Sequence, residues 1–293
     1  MNIPNLDSYL HDELKTELNT PEQEERLKEA LRTYAGEDKI ESSKDIETRI
    51  LEGERRPVYS TGIPDLDELL RGGVRGGQMV VVAAITKHGK TEFCIHLTKL
   101  MESMNPLWFS YEDGAEEIVE RFIDSNVPVP LFYAPATLKE KSPKWIEQRI
   151  VESMVKYNTR LVFIDNINYM APRGPNTSQE ISFITKELKD MATKWNVTIV
   201  LVAQLTKVAI DRHPDINDIK ESSSIAQDAS TVILLWRQTA RDNNHVSITN
   251  NVNISVQAAR RGKPGEFKMT YENGEYHLNN WNSDVQTFED DKF

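Results

Sequence analysis

Cysteine is almost missing from this chain, since Cys94 is the only one among 293 residues. A lone thiol cannot close a disulfide within one chain, which excludes the class of small secreted proteins stapled by cystines. No apolar run approaches the roughly 20 residues that a helix needs to cross a bilayer. The opening segment MNIPNLDSYLHDEL contains no signal-peptide core. We therefore expect a cytoplasmic protein without membrane contact.

Positive charge is also scarce: 46 acidic residues face 35 lysines and arginines, and the net charge is −11. Residues 1–56 contribute −6 and residues 282–293 contribute −3, which leaves only −2 for residues 57–281. A nearly neutral core can still concentrate basic side chains on one surface. Net charge therefore neither favours nor excludes a nucleic-acid partner.

Continuous apolar runs recur along the chain from Val58 onward, and helical stretches such as 145–155 and 180–195 separate most of them. Runs of this kind are typical of strands buried on both faces of a sheet. They occupy residues 79–84, 107–110, 161–164, 198–202 and 231–235. The alternation predicts an α/β fold, a mainly parallel twisted sheet with helices on both faces. Residues 252–258 and 267–271 indicate a closing antiparallel pair.

A short helical segment precedes this domain. Leu27, Ala30, Leu31 and Tyr34 follow one another at helical spacing, and a second helix fits residues 43–51. Their apolar stripe is too narrow to form a core, so we expect it to dock on its own domain or on a neighbouring subunit. The predicted organisation is a helical N-terminal segment (1–56), an ATPase-like domain (57–281) and a disordered acidic tail (282–293).

The motif HGKT at residues 88–91 directly follows the 79–84 run and opens a helix, which is the setting of a P-loop. Ala84 stands where the first glycine of that motif is usual. Lys90 would reach the β- and γ-phosphates of ATP, and the Thr91 hydroxyl would bind Mg²⁺. Backbone N–H groups at the start of a helix suit phosphate. The predicted nucleotide-binding residues are Thr86, Lys87, His88, Gly89, Lys90, Thr91 and Glu92.

Two further strands end in acids. Asp165 closes the 161–164 run and would hold Mg²⁺ with Thr91. Glu112 follows the 107–110 run and is the candidate for polarising the attacking water. An acid at a strand end can also be a helix cap or a solvated side chain, and the residues alone leave both readings open.

Several stretches together carry a family resemblance. TGIPDLD at 61–67, followed by Gly72 and Gly73, resembles the lead-in of RecA-like ATPases of the KaiC and RadA types. More specific likenesses to the DnaB-type replicative helicase domain are IDNI at 164–167, VAQLTK at 202–207, DIKESSSIAQDA at 218–229, LLWR at 234–237 and RRGKPG at 260–265. The resemblance covers roughly residues 58–272. It implies a RecA-like fold and an ATP-driven hexameric ring that moves on single-stranded DNA, in a phage or plasmid version acting in the host cytoplasm.

The resemblance also implies residue roles. Gln204 would sense the γ-phosphate, and Arg260 matches an arginine finger that reaches into the neighbouring subunit's site. The family usually has a lysine two residues before that arginine, whereas this chain has Ala258. Lys87 also stands where a small residue is usual. These departures could weaken hydrolysis or pass the task to Arg261 or Lys263.

DNA contact is expected from loops of the matched domain. Lys220, Glu221 and Ser222 match a loop that lines the central channel in the family, with Ser223 where glycine is usual. Arg173, in residues 170–178, is a candidate for a second channel loop. Lysine and main-chain N–H groups could hold phosphates without reading bases. A charged loop can equally be a solvated one.

Two other functions stay open at this point: a RecA-like recombination or annealing ATPase, and a nucleotide-binding replication assembly factor that does not unwind DNA. The tail places Phe288 and Phe293 around an acidic cluster. Such a segment could dock a polymerase, a primase or a single-strand-binding protein through an apolar pocket with a basic rim. The alternative is a tail that only solubilises the protein.

Overall fold

A computed structural model of the protein describes residues 21–36, 39–53, 55–171, 174–206, 212–220, 223–242, 245–278 and 286–287. The chain divides into two compact units, one ending at Arg55 and one beginning at Arg56. Within the described ranges, no helix combines the length and apolar character needed to span a membrane. Thr20, Phe288 and Phe293 lie outside these ranges.

The first unit contains helix α1 (Pro21–Arg32) and helix α2 (Ser43–Leu51), as the sequence predicted. Helix α2 starts where Ser42 accepts a hydrogen bond from the Asp45 N–H and the Asp45 carboxylate accepts one from the Ser42 N–H. This reciprocal cap satisfies two backbone donors that a helix start leaves unpaired. The surface on which the apolar stripe of this unit docks stays a prediction.

The second unit is built around a large sheet. A small antiparallel pair, β1 (Val58–Tyr59) and β2 (Val74–Arg75), flanks helix α3 (Pro64–Leu69) and precedes it. The other helices are α4 (Lys90–Leu100), α5 (Gly114–Asp124), α6 (Pro143–Tyr157), α7 (Thr177–Trp195) and α8 (Ser223–Asp228). The sheet contains β3 (Met79–Ala84), β4 (Leu107–Ser110), β5 (Leu161–Asp165), β6 (Thr198–Gln204), β7 (Thr231–Asp242), β8 (His245–Ala259), β9 (Gly265–Glu272), β10 (Glu275–Leu278) and β11 (Gln286–Thr287).

Five strands run parallel in the order β7–β3–β6–β5–β4. Strand β3, which leads into the P-loop, is therefore central. Ala84 pairs with Gln204 and Ser110 pairs with Asp165, so the carboxyl ends of these strands meet at one edge. Ligands of open α/β sheets bind outside that edge.

The side chains of β3 alternate between two cores, as the period of two in a strand requires. Val80, Val82 and Ala84 face a core shared with α4 and α5. Met79, Val81 and Ala83 face a core shared with α6, α7 and α8. The predicted parallel sheet with helices on both faces is confirmed.

The antiparallel closing pair is also confirmed, but it is longer than predicted. Strands β7 and β8 pair antiparallel from Thr231 with Ala259 out to Asp242 with His245. The apolar pattern began only at Val252, because the preceding residues are polar and exposed Ile248 is isolated among them. A strand that projects beyond the core needs no apolar run, so hydrophobic periodicity does not detect it.

Candidate active site

The connection from β3 to α4 is a tight loop whose backbone depends on glycine at one point. Gly89 precedes α4 with a φ of 92°, a region that favours glycine. The Tyr276 hydroxyl donates a hydrogen bond of 2.9 Å to the Gly89 carbonyl. A Cβ atom at position 89 would lie 2.6 Å from that hydroxyl oxygen. The loop is thus held from outside by the β10 strand.

Lys90 and Thr91 form the first turn of α4, and each is only 9% exposed. The Thr91 hydroxyl donates to Oδ2 of Asp165 over 2.6 Å. Asp165 is 1% exposed, and its Oδ1 atom has no hydrogen-bond partner among the described residues. Burial raises the pKa of Asp165 to about 6, while the Thr91 hydrogen bond and the Lys90 charge oppose that rise. The sequence-predicted metal ligands therefore lie in direct contact.

This donor set fits a magnesium–nucleotide complex. It offers a hydroxyl oxygen and a buried carboxylate with one unpaired oxygen, and Mg²⁺ prefers oxygen ligands. The described residues contain no group of three or more His, Cys, Asp or Glu side chains able to hold a metal. A cation here would need phosphate oxygens and water to complete its shell, which is how Mg²⁺ is usually bound beside nucleotides.

Glu112 lies two residues beyond β4, and its side chain is 29% exposed. Its Oε2 atom is 3.4 Å from Lys90 Nζ and accepts a 2.6 Å hydrogen bond from Asn166 Nδ2. The fold thus brings the predicted acid, the P-loop lysine and the end of β5 together. A carboxylate that is partly open to solvent can contact a water molecule.

Gln204 links the P-loop to the segment predicted to contact DNA. Its Nε2 donates to the Thr86 hydroxyl over 2.6 Å. Its backbone carbonyl accepts the Lys220 N–H over 2.8 Å, and Leu205 forms an antiparallel bridge with Ile219. Lys220 is exposed. Glu221, Ser222 and Arg173, also predicted to contact DNA, lie outside the described residues.

The remaining P-loop predictions differ in what their side chains can do. Lys87 is exposed and has a φ of 67°. His88 Nδ1 accepts the Arg237 N–H over 3.0 Å, and burial, followed by the nearby Arg237 charge, lowers the pKa of His88. The Glu92 carboxylate pairs with Arg121. Glu92 therefore offers a nucleotide its backbone N–H rather than an unpaired side chain.

Arg260 lies just after β8, and its backbone N–H bonds the Ser230 carbonyl. Its side chain is exposed and makes one long contact, 3.3 Å to the Gln227 carbonyl. Lys263, by contrast, pairs with Glu68 of the same chain at 2.9 Å. Of the two cations, Arg260 is the less tightly held and the better suited to reach outward.

Sequence reasoning assigned no role to Asn166 or Tyr276. Asn166 falls inside a stretch that carried the family resemblance, yet nothing in the motif shows that its amide contacts Glu112, 54 positions away. Tyr276 contacts Gly89 across 187 positions. No local pattern predicts either contact, because both arise from the packing of separate strands.

Comparison with known proteins assigns the family. The family model described as the DnaB-like helicase C terminal domain matches residues 59–142 and 137–280. The chain is 26% identical over 246 residues to a replicative DNA helicase DnaB of Leifsonia xyli subsp. xyli, covering 72% of this chain and 53% of the relative. It is 27% identical over 248 residues to a replicative DNA helicase DnaC of Bacillus subtilis, covering 72% and 54%.

Solved structures support the fold. One of them, an ATPase domain solved by itself, gives a TM-score of 0.67 at 21% identity and covers 80% of this chain and 96% of that one. A DnaB-like replicative helicase, described together with its interactions with primase, gives 0.66 at 20% identity, covering 93% and 75%. The chain spans about half the length of the curated relatives it matches. With the family model matching most of its length, this chain belongs to the DnaB-like helicase C-terminal domain family.

Proposed function

We propose that this chain is an ATP-dependent, ring-forming DNA helicase motor that translocates on single-stranded DNA during replication. The observation that carries the proposal is the meeting of four side chains at the carboxyl edge of the sheet in a member of this family. Thr91 contacts Asp165, and Lys90 contacts Glu112, across 74 and 22 positions of sequence respectively.

The arrangement supports division of the work among the four. Lys90 and the N–H groups at the start of α4 hold the phosphates of ATP. Thr91 and Asp165 hold Mg²⁺, which when bound neutralises charge developing on the transferred phosphoryl group. Glu112 accepts a hydrogen bond from the attacking water and orients it.

Coupling to DNA is proposed to run through Gln204. Its side chain contacts Thr86 of the P-loop and its backbone contacts Lys220, so a change at the phosphates can alter the position of the DNA loop. That loop, Lys220, Glu221 and Ser222, would bind single-stranded DNA together with Arg173. Contacts of this kind address phosphates and are insensitive to base sequence.

The ATP site is proposed to be shared between subunits of a six-membered ring, with Arg260 supplied by the neighbour. A guanidinium beside the γ-phosphate stabilises transition-state charge. The tail, residues 282–293, would bind a polymerase, a primase or a single-strand-binding protein.

A nucleotide-binding assembly factor that does not unwind DNA is the second candidate. The observation favouring it is the pair of departures at Lys87 and Ala258 from what the family resemblance implies. Such a factor would bind ATP and assemble, and it would hydrolyse slowly.

The test measures ATP turnover with and without single-stranded DNA, then strand separation on a forked duplex. The Lys90→Ala variant is the control, since this lysine acts on bound phosphate and the fold does not need its charge. Turnover stimulated by DNA, with unwinding that Lys90→Ala abolishes, supports the helicase. DNA-stimulated turnover without unwinding would favour a recombination or annealing ATPase. Nucleotide binding without stimulated turnover would favour the assembly factor.

A further inference from the structure

We propose that Asn166 is a positioning residue for Glu112: its side-chain amide holds the carboxylate in the place from which it orients water. The inference rests on the proposed role of Glu112 in ATP hydrolysis. Asn166 itself touches neither phosphate nor metal ligand in this argument and acts only through the carboxylate.

The contact between the two side chains is short and well supported. Asn166 Nδ2 lies 2.6 Å from Glu112 Oε2, whereas Lys90 Nζ lies 3.4 Å from the same oxygen. Asn166 is 2% exposed, so its side chain has little freedom to leave the contact. Glu112 is much more open to solvent, at 29%. The rigid partner is therefore the amide, and the acid is the one being held.

The chain also determines which end of the amide faces the acid. Asn166 Oδ1 accepts the backbone N–H of Asn168 over 3.0 Å, in the short 3₁₀ helix Ile167–Tyr169. Since that N–H can only donate, the oxygen must point toward it and the NH₂ group must point toward Glu112. Asn166 thus presents a donor, which is what an acceptor carboxylate requires.

A neutral donor suits this position better than a cation. Lys90 is expected to engage the phosphates of ATP, so its long contact with Glu112 is not a stable anchor. An amide holds one carboxylate oxygen without supplying a competing charge beside the phosphates. The other oxygen, Oε1, remains available to water. Asn166 therefore separates two tasks that Lys90 could not perform together.

The experiment compares three single variants and one pair of backgrounds. Asn166→Ala removes the donor. Asn166→Asp keeps the shape and the acceptor for the Asn168 N–H but replaces the donor with an acceptor. Asn168→Ala is the matched control, because its side-chain Oδ1 has no partner and its backbone N–H is retained. Each is measured for kcat, for KM and for affinity toward a fluorescent ATP analogue at saturating Mg²⁺, in wild-type and Glu112→Gln backgrounds.

We expect Asn166→Ala to lower kcat about tenfold, part of the 10²–10⁴ that a positioned base contributes, with KM and analogue affinity within about twofold. Asn166→Asp should lose at least as much, and Asn168→Ala should behave as wild type. In the Glu112→Gln background Asn166→Ala should cause no further loss. This last result separates positioning from a general structural defect, which would lower the rate in both backgrounds.

Three results would overturn the inference. If Glu112→Gln hydrolyses ATP at the wild-type rate, the role of Glu112 fails and the positioning role fails with it. If Glu112→Gln is slow but both Asn166 variants turn over normally, only the positioning role fails. Equal rate losses from Asn166→Ala in the two backgrounds would make Asn166 structural. Should Asn166→Ala unfold, the near-isosteric Asn166→Asp carries the same comparison.

Discussion

Asp165 lies in an environment that opposes its own charge, and replacing it should stabilise the protein while ending its activity. The carboxylate is 1% exposed, and burial raises its pKa from 3.8 to about 6. Asp165→Asn keeps the shape of the side chain and an oxygen that can accept the Thr91 hydrogen bond. It removes the charge that the interior disfavours.

The pKa difference sets the size of the effect. The folded state binds this proton more tightly than the unfolded chain, so ionised Asp165 costs stability at neutral pH. A pKa difference of about 2, at about 1.4 kcal/mol for each pKa unit, corresponds to about 3 kcal/mol. The new amide NH₂ replaces an oxygen that lacks a partner, and an unpaired buried donor returns about 1 kcal/mol of that gain. We expect a net increase of about 2 kcal/mol in the free energy of unfolding at pH 7.5.

The sign of the pH dependence follows from the same pKa values. The cost of the charge is fully present above pH about 6, declines as the pH falls, and is absent below the unfolded pKa of 3.8. The advantage of Asp165→Asn should therefore shrink between pH 7 and pH 4. Adding Mg²⁺ and ATP should stabilise the wild type but not the variant, because the cation needs the ionised carboxylate.

The assay is urea unfolding in the presence of EDTA, without nucleotide, at several pH values. Asp190→Asn, at an exposed acid on α7, is the matched control and should leave unfolding unchanged. A destabilised Asp165→Asn protein at pH 7.5 would contradict the reasoning. So would a stabilisation of equal size at every pH, since it could not come from the carboxylate charge.

Three further changes test the site. Glu112→Gln should bind ATP normally and hydrolyse it at least about tenfold more slowly; unchanged turnover in a single-turnover assay would mean that another group orients the water. Arg260→Ala subunits mixed with Lys90→Ala subunits should regain part of the ATPase activity, because some interfaces then combine two intact halves. Confirmed mixed rings without activity would argue against a finger supplied by the neighbour. Tyr276→Phe should weaken nucleotide binding about fivefold, since it removes one neutral hydrogen bond of about 1 kcal/mol from the P-loop, while the Phe93 N–H still bonds the Gly89 carbonyl. Equal affinity in a fluorescence titration, with exposed Tyr169→Phe as control, would show that the hydroxyl does not support the loop.

The sequence by itself determined the sheet and the P-loop. Buried parallel strands must be apolar along their whole length, so 79–84, 107–110 and 161–164 were identifiable as runs. The motif at 88–91 was identifiable because phosphate binding requires a glycine-bearing turn between a strand and a helix. Those constraints act between neighbours in sequence, and a linear pattern records them.

Tertiary structure decided which of the predicted residues meet. Asp165 could have been a helix cap until its contact with Thr91 placed it in the metal site. Glu112 could have been a solvated acid until Lys90 and Asn166 enclosed one of its oxygens. Tyr276 gave no sequence signal at all. Contacts of this kind join strands and helices that are distant in sequence, and they depend on strand order and on the packing of one face against another. No local periodicity encodes them.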